Sequence, residues 1–485
     1  METYRPQIIL ACVLAYFVIC IFVGLWAMRR THSSRDFFMA GRTLGFIVTA
    51  VAVFSSTMSG FGFVGGPGLV YQMGMSSLWI VLTASIGYCL SFYLLAKPLR
   101  EMAIAQDSVS LPDVVTARYQ SSFAGLLTAV AILLGVMGYL AAQIIAMATV
   151  LKSLLLSIDV DLPLEVCAGF STALLVFYCV TGGIIASVYT DLVQGFIMMI
   201  AAVLVFLAAI NAVDGGISGM SQTLAEDDPA AVSPWGTVGV FGCLSWYFVF
   251  ALGAAGQPHV ITKLMMTKRP DTAQMTLPVS LVGYMVTALL WIGIGLAMRA
   301  VVLEGVYPQL KAPDAAAPEF LQHYTHPLLA GTVFAGLFAA IMSTADAFLN
   351  IGAAAVVHDI PRGLGLKTSP ERELSLARIA TVLIAVVATV FGLYSGELVA
   401  LLGATGWGIF AAALVPAVAI GFNWKRATAG AACAAIISSL VVNFTLKAFS
   451  IPLHLDTGAV ALMVSLTLFL AISLCSKPKQ ESASA

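Results

Sequence analysis

Charge is what this sequence has least of. Only 10% of its 485 residues are Asp, Glu, Lys or Arg, where an ordinary globular domain carries roughly 25%. The 23 basic and 24 acidic residues nearly cancel, leaving a net charge of -1. That is too little for a surface that grips a polyanion. A nucleic-acid binder, a soluble enzyme and a disordered chain are excluded. Chemical signatures are missing as well: there is no GxxxxGK[ST] loop for an ATP motor, no HExxH metalloprotease helix and no GxSxG nucleophile elbow. No Arg-rich helix is present to sense voltage. The eight cysteines (Cys12, Cys20, Cys89, Cys167, Cys179, Cys243, Cys433 and Cys475) form no CxxC pair and lie in or beside apolar stretches. They read as small buried hydrophobes, not as a disulfide or metal-thiolate framework.

What is there is apolar length. Apolar residues make up 60% of the chain, and a spanning helix needs about 20 of them in a row. Thirteen stretches qualify: 6–28, 43–71, 77–96, 124–150, 163–182, 188–213, 236–257, 276–301, 327–357, 374–395, 397–421, 426–447 and 455–474. The first is too long for a signal-peptide core and lacks an A-x-A site, so it is expected to be retained. With the N-terminus outside and the C-terminus cytoplasmic, 18 of the 23 Lys and Arg fall on the inside and only Arg5, Lys152, Arg299, Lys311 and Lys447 outside. This is the asymmetry of the positive-inside rule. The segment 108–120 carries a Ser110-Leu111-Pro112-Asp113 helix start and reads as a short interfacial helix on the inner side. The expectation is an all-α polytopic membrane protein, one transmembrane domain over 1–485, with no separate soluble domain.

Two spans are poor helices. Span 43–71 holds Ser55, Ser56, Thr57, Met58 and Ser59, then Gly60, Gly62, Gly65, Gly66 and Gly68 with Pro67 among them. Such a run disfavours a continuous helix. Span 236–257 ends in Gly253-Ala254-Ala255-Gly256-Gln257-Pro258-His259, again weak helix with a breaker. Irregular backbone at membrane depth is tolerated only where it lines protein or a cavity. Broken spans at matching places in two halves point to a transport site. These are the second and seventh spans, so the halves have opposite topology. That suggests inverted five-span repeats over 43–213 and 236–421, with 6–28 and 426–474 appended.

Polar groups within the spans are few. Asp191 and Asp346 are deep carboxylates, costly unless partnered, and no Lys or Arg is placed deep enough to pair with them. Ala340, Ser343 and Thr344 share one helix face, and Asp346 lies on its edge. With carbonyls from the break at 55–58 they form an all-oxygen set that suits a hard, weakly charged ion such as Na+. Asp191 has a plainer alternative as a helix N-cap. For His259, the plainer reading is a satisfied interfacial residue. Tyr139, Gln143, Trp246, Tyr247, Phe250 and Trp407 are large or polar groups that either line a cavity or simply pack.

Several stretches resemble the sodium:solute symporter family, most closely its sodium/proline branch. They are Asp36-Phe37-Phe38-Met39-Ala40-Gly41-Arg42, Thr57-Met58-Ser59-Gly60, Leu111-Pro112-Asp113, Thr190-Asp191-Leu192-Val193-Gln194-Gly195, Gly256-Gln257-Pro258-His259 and Met342-Ser343-Thr344-Ala345-Asp346. The resemblance implies the leucine-transporter fold, with five plus five inverted spans around a midplane site and Na+ as coupling ion. It implies a main Na+ site from the carbonyls of Ser55, Met58 and Ala340 and the hydroxyls of Ser343 and Thr344. A second cation or proton site would involve Asp191 and Asp346. The solute would be lined by Thr57, Ser59, Gly60, Phe61, Tyr139, Gln143, Tyr247, Phe250, Ala254, Gln257 and Trp407. Two positions depart from the proline branch: Ala254 replaces one member of an aromatic pair with Phe250, and Thr57 replaces an acidic residue. The expected protein is not an enzyme. It is a Na+-coupled symporter of the bacterial inner membrane, importing a small organic solute (proline-like or a small carboxylate) by alternating access. Its partners are that solute, Na+ and lipid. Proton coupling through Asp191 or Asp346 is the alternative, and a channel is a more distant one.

Overall fold

A computed structural model describes residues 4–29, 45–266, 273–366, 369–447 and 455–476. Asp36–Arg42, one of the resembling stretches, lies outside them. Among the described residues the only regular structure is helix, which pairs its backbone groups within each segment as lipid demands. Eleven helices among the described residues are long and apolar enough to cross a membrane.

The first expected span is α1 (Arg5–Met28). The second is broken into α2 (Phe46–Thr57) and, after a turn of π-helix over Phe61–Gly65, α3 (Gly66–Met73). Next come α4 (Leu78–Ala105), the short α5 (Leu111–Tyr119) and α6 (Ser122–Leu156). The expected α5 start is present: Ser110 accepts from the Asp113 amide, with Pro112 in the first turn, as an N-cap should.

The expected fifth and sixth spans lie within one helical element, α7 (Leu164–Asn211, 48 residues). No irregular link separates them. Asp191 is therefore inside a helix and not at its cap. Helix α8 (Gly216–Asp227) follows on the surface. The seventh span is α9 (Gly239–Gly253), which tightens to 3-10 turns over Ala254–Gly256 and restarts after an extended Gln257 as α10 (Pro258–Met265). The chain continues with α11 (Ala273–Leu303), the short α12 (Ala316–Tyr324), α13 (Pro327–Ala354), which runs on through a π-helical turn over Ala355–Asp359 and a last helical turn over Ile360–Gly363, then α14 (Pro370–Ser395), α15 (Val399–Leu414), α16 (Ala429–Lys447) and α17 (Thr457–Cys475).

The first break is shorter than the glycine run suggests. Only Met58 and Ser59 leave the helix, Met58 with φ -84° and ψ 90°, and the chain from Gly60 onward is helical again. The glycines serve packing instead. A Cβ on Gly66 would lie 2.2 Å from the Trp291 ring, one on Gly65 2.6 Å from the Ala400 backbone and one on Gly60 2.6 Å from Ala146. Small residues let helices approach this closely in lipid. Broken helix α2 packs against α7, α11 and α13, while α15 crosses α6 and α9.

Candidate functional site

The break at Met58–Ser59 exposes the C-terminal end of α2. A helix end leaves carbonyls without intrahelical partners, and here that of Ser56 meets α13. The Thr344 hydroxyl donates to the Ser56 carbonyl at 3.0 Å. Ser55, Met58, Ala340, Ser343 and Thr344 are all 2% exposed or less. The Ser55 hydroxyl is buried and has no hydrogen-bond partner among the described residues. The orphaned Ser55 hydroxyl, with the Thr344 hydroxyl and the Ser56 carbonyl it meets, is an oxygen set of the kind that fits a small hard cation.

Ser343 points one step further. Its hydroxyl donates to Asp191 Oδ1. The other Asp191 oxygen holds the ammonium of Lys263 at 3.0 Å, and Lys263 also donates to the Ala52 carbonyl at 2.7 Å. This overturns the expectation that no cation reaches Asp191. Lys263 was assigned to the inner loop, but α10 carries it inward until its side chain is 1% exposed. Its partner makes that burial tolerable, since a buried charge is kept only when paired. Asp346 Oδ1 accepts from Asn350 at 3.0 Å.

On the other side of the break the solute-lining candidates gather. The Gly60 amide donates to Gln143 Oε1 at 2.8 Å, and the Ser59 and Tyr139 hydroxyls meet at 3.4 Å. Phe61 stacks on Phe250 with ring centres 6.1 Å apart and lies 6.4 Å from Tyr139. Phe250 in turn lies 5.3 Å from Trp407. Gln257, at the second break, donates to the Gly253 carbonyl at 3.0 Å and the Trp407 carbonyl at 3.4 Å. Ala254 is fully buried beside them, and Thr57 turns its hydroxyl to the Phe54 carbonyl at 2.7 Å. Tyr247 is not brought in. It is 39% exposed and meets Trp79 instead.

Three members of this cluster were not singled out from the sequence. Trp291 stands edge-on to Phe61 at 5.6 Å, Phe348 packs on Tyr139 at 4.6 Å, and Lys263 pairs with Asp191. The first two carry no local signal, because an aromatic on a spanning helix looks the same in the core and in a site. His259 is fully buried between Tyr139 and Phe348, with both ring nitrogens lacking a hydrogen-bond partner among the described residues.

A second polar cluster lies where α5 meets the end of α13. Asp113 accepts from Arg362 at 2.8 Å and faces His358 at 3.1 Å. His358 contacts Glu373 at 2.6 Å, and Ser110 donates to Asp359 at 2.5 Å. Burial pushes the Asp113 carboxyl up, but hydrogen bonding and the charge of His358 outweigh it and hold the group below its usual range.

The comparisons with known proteins agree with this geometry. The chain is 30% identical over 433 residues to the osmoregulated proline transporter OpuE of Bacillus subtilis, covering 87% of this chain and 85% of that one. It is 28% identical to the sodium/pantothenate symporter of Escherichia coli, covering 94% of both. Among solved structures, a Na+-coupled sialic acid symporter superposes with a TM-score of 0.78 at 21% identity, covering 98% of this chain and 99% of that one. The nucleobase-cation-symport-1 transporter Mhp1 superposes at 0.59 with 14% identity, covering 93% and 98%. The sodium:solute symporter family matches residues 37–438, and with two broken helices set against a hydroxyl-bearing third, the chain belongs to that family: it is a multi-pass membrane protein that couples solute import to Na+.

Proposed function

We propose that the coupling Na+ binds between α2 and α13, on the carbonyls of Ser55, Met58 and Ala340 and the hydroxyls of Ser343 and Thr344. The observation that carries this is the Thr344–Ser56 contact of 3.0 Å across the break, beside the orphaned Ser55 hydroxyl. Na+ there would tie the broken helix to α13 and favour one side of an alternating-access cycle. One positive charge moving inward across about 100 mV supplies roughly 2.3 kcal/mol, close to fifty-fold accumulation.

The solute would sit between Ser59, Gly60, Phe61, Tyr139, Gln143, Phe250, Ala254, Gln257 and Trp407. Relatives named for proline and for pantothenate support a small organic solute, amino-acid-like or a small carboxylate. Thirteen crossings in inverted repeats are the topology that best fits. Ser153, at the end of α6, receives a hydrogen bond from Gln322 at 2.7 Å, and Asn211, at the end of α7, borders one cavity with Thr325 and His326. That both ends of α7 lie on one side supports counting α7 as two crossings. The N-terminus would be outside, in a bacterial inner membrane.

The test is Na+-dependent thermal stabilisation of the purified protein, followed by a solute screen in the presence of Na+. Joint replacement of Ser343 and Thr344 by Ala should weaken the Na+ effect sharply. Stabilisation unchanged in that variant would place the ion elsewhere.

A further inference from the structure

Asp191 occupies the position where the family resemblance suggests a second cation or a transported proton. The structure fills that position from within. The Asp191 side chain is fully buried and Lys263 is 1% exposed. One carboxylate oxygen takes the Ser343 hydroxyl and the other takes the Lys263 ammonium at 3.0 Å. The same ammonium donates to the Ala52 carbonyl at 2.7 Å. It therefore touches α7 and α2 directly and reaches α13 through Asp191 and Ser343. A lysine ammonium is a compact point charge with three donors on a flexible stem. It can satisfy oxygens from several helices much as a small bound cation does.

We propose that Lys263 is a built-in cation for Asp191, so that Asp191 binds neither Na+ nor a transported proton and this symporter holds Na+ only at the Ser343 and Thr344 site. Two consequences follow from its being tethered. The ammonium cannot leave with the solute, so it contributes nothing to the charge carried per cycle. It also sits where a second Na+ would have to be, and like charges at that separation in a poorly screened interior repel strongly. Its grip joins α10, behind the second break, to α2, before the first. Lys263 is thus a positioning residue for both broken helices and sets the ion stoichiometry.

This inference rests on the Na+ site proposed above, and Na+ alone is a sufficient probe. Equilibrium binding of radioactive sodium to the purified full chain counts ions per protein. Wild type is expected to bind one, Lys263→Met two, and the double variant Asp191→Asn with Lys263→Met one again. Two ions on wild type, or one on a folded Lys263→Met with wild-type affinity, would overturn the assignment. If Lys263→Met does not fold, wild type and the double variant decide: each should bind one ion with similar affinity, and loss of binding by the double variant counts against the proposal. Wild type binding none while Lys263→Met binds one would keep Lys263 in its role and remove the Ser343 and Thr344 site instead.

Discussion

The Thr344 hydroxyl lies 3.0 Å from the Ser56 carbonyl, and this contact joins an intact helix to the last turn of a broken one. A hydroxyl can donate to a carbonyl and still offer its lone pairs to a cation. Replacing Ser343 and Thr344 together by Ala should raise the Na+ concentration for half-maximal stabilisation at least about tenfold, which corresponds to about 1.4 kcal/mol. A Na+ titration of thermal unfolding reads this directly.

Gly66 makes a sharper packing test. A methyl group there would meet the Trp291 ring at 2.2 Å, so something must shift. Gly66→Ala should cost about 1–3 kcal/mol through overpacking. Trp291→Leu in the same chain should recover part of that loss. Two penalties that simply add would show that the two residues do not compete for this space.

The cluster beneath α5 separates buried from exposed charge. The Asp113 side chain is 7% exposed and Arg362 is 64% exposed. Asp113→Asn takes the carboxylate from Arg362 and one of two from His358, which keeps Glu373, and should cost about 2–3 kcal/mol. Arg362→Ala removes a solvated partner and should change stability by no more than about 1 kcal/mol. Thermal unfolding of both variants should show this order, and equal losses would contradict it.

Asp314 carries a pH signature. It lies between α11 and α12, outside the spanning helices, and accepts from the Val399 amide at 2.9 Å. Burial pushes its carboxyl up to about 6. The folded protein thus keeps a proton that the unfolded chain gives up near pH 4, so stability falls as pH rises from about 4 to about 6. An Asn keeps the acceptor and lacks the charge. Asp314→Asn should therefore be more stable than wild type near pH 7.5, by on the order of 3 kcal/mol, and no more stable near pH 4. An equal advantage at both pH values would assign the gain to packing.

Much of this molecule is legible in one dimension because lipid is a demanding solvent. Apolar length and the Pro258 and Met58–Ser59 interruptions report local constraints that each segment must meet alone. The hydroxyl face of Ser343 and Thr344 is equally local, a matter of helical spacing. The Ser110 cap of α5 was readable for the same reason.

Contacts between distant segments were not readable. Local propensity turned the run Gly60–Gly68 into a long break, whereas packing against Ala146, Ala400 and Trp291 keeps most of it helical. Tyr247 had the right chemistry for the pocket, but the rotation of α9 leaves it 39% exposed beside Trp79. Lys263 is the clearest case. Hydropathy sends a lysine to the loop because an isolated ammonium is expensive in lipid. Only the fold, by bringing Asp191 and the Ala52 carbonyl within 3.0 and 2.7 Å of it, makes the interior its place. Thus single-segment free energies set which stretches enter the membrane, and pairing between segments decided which charges could follow them.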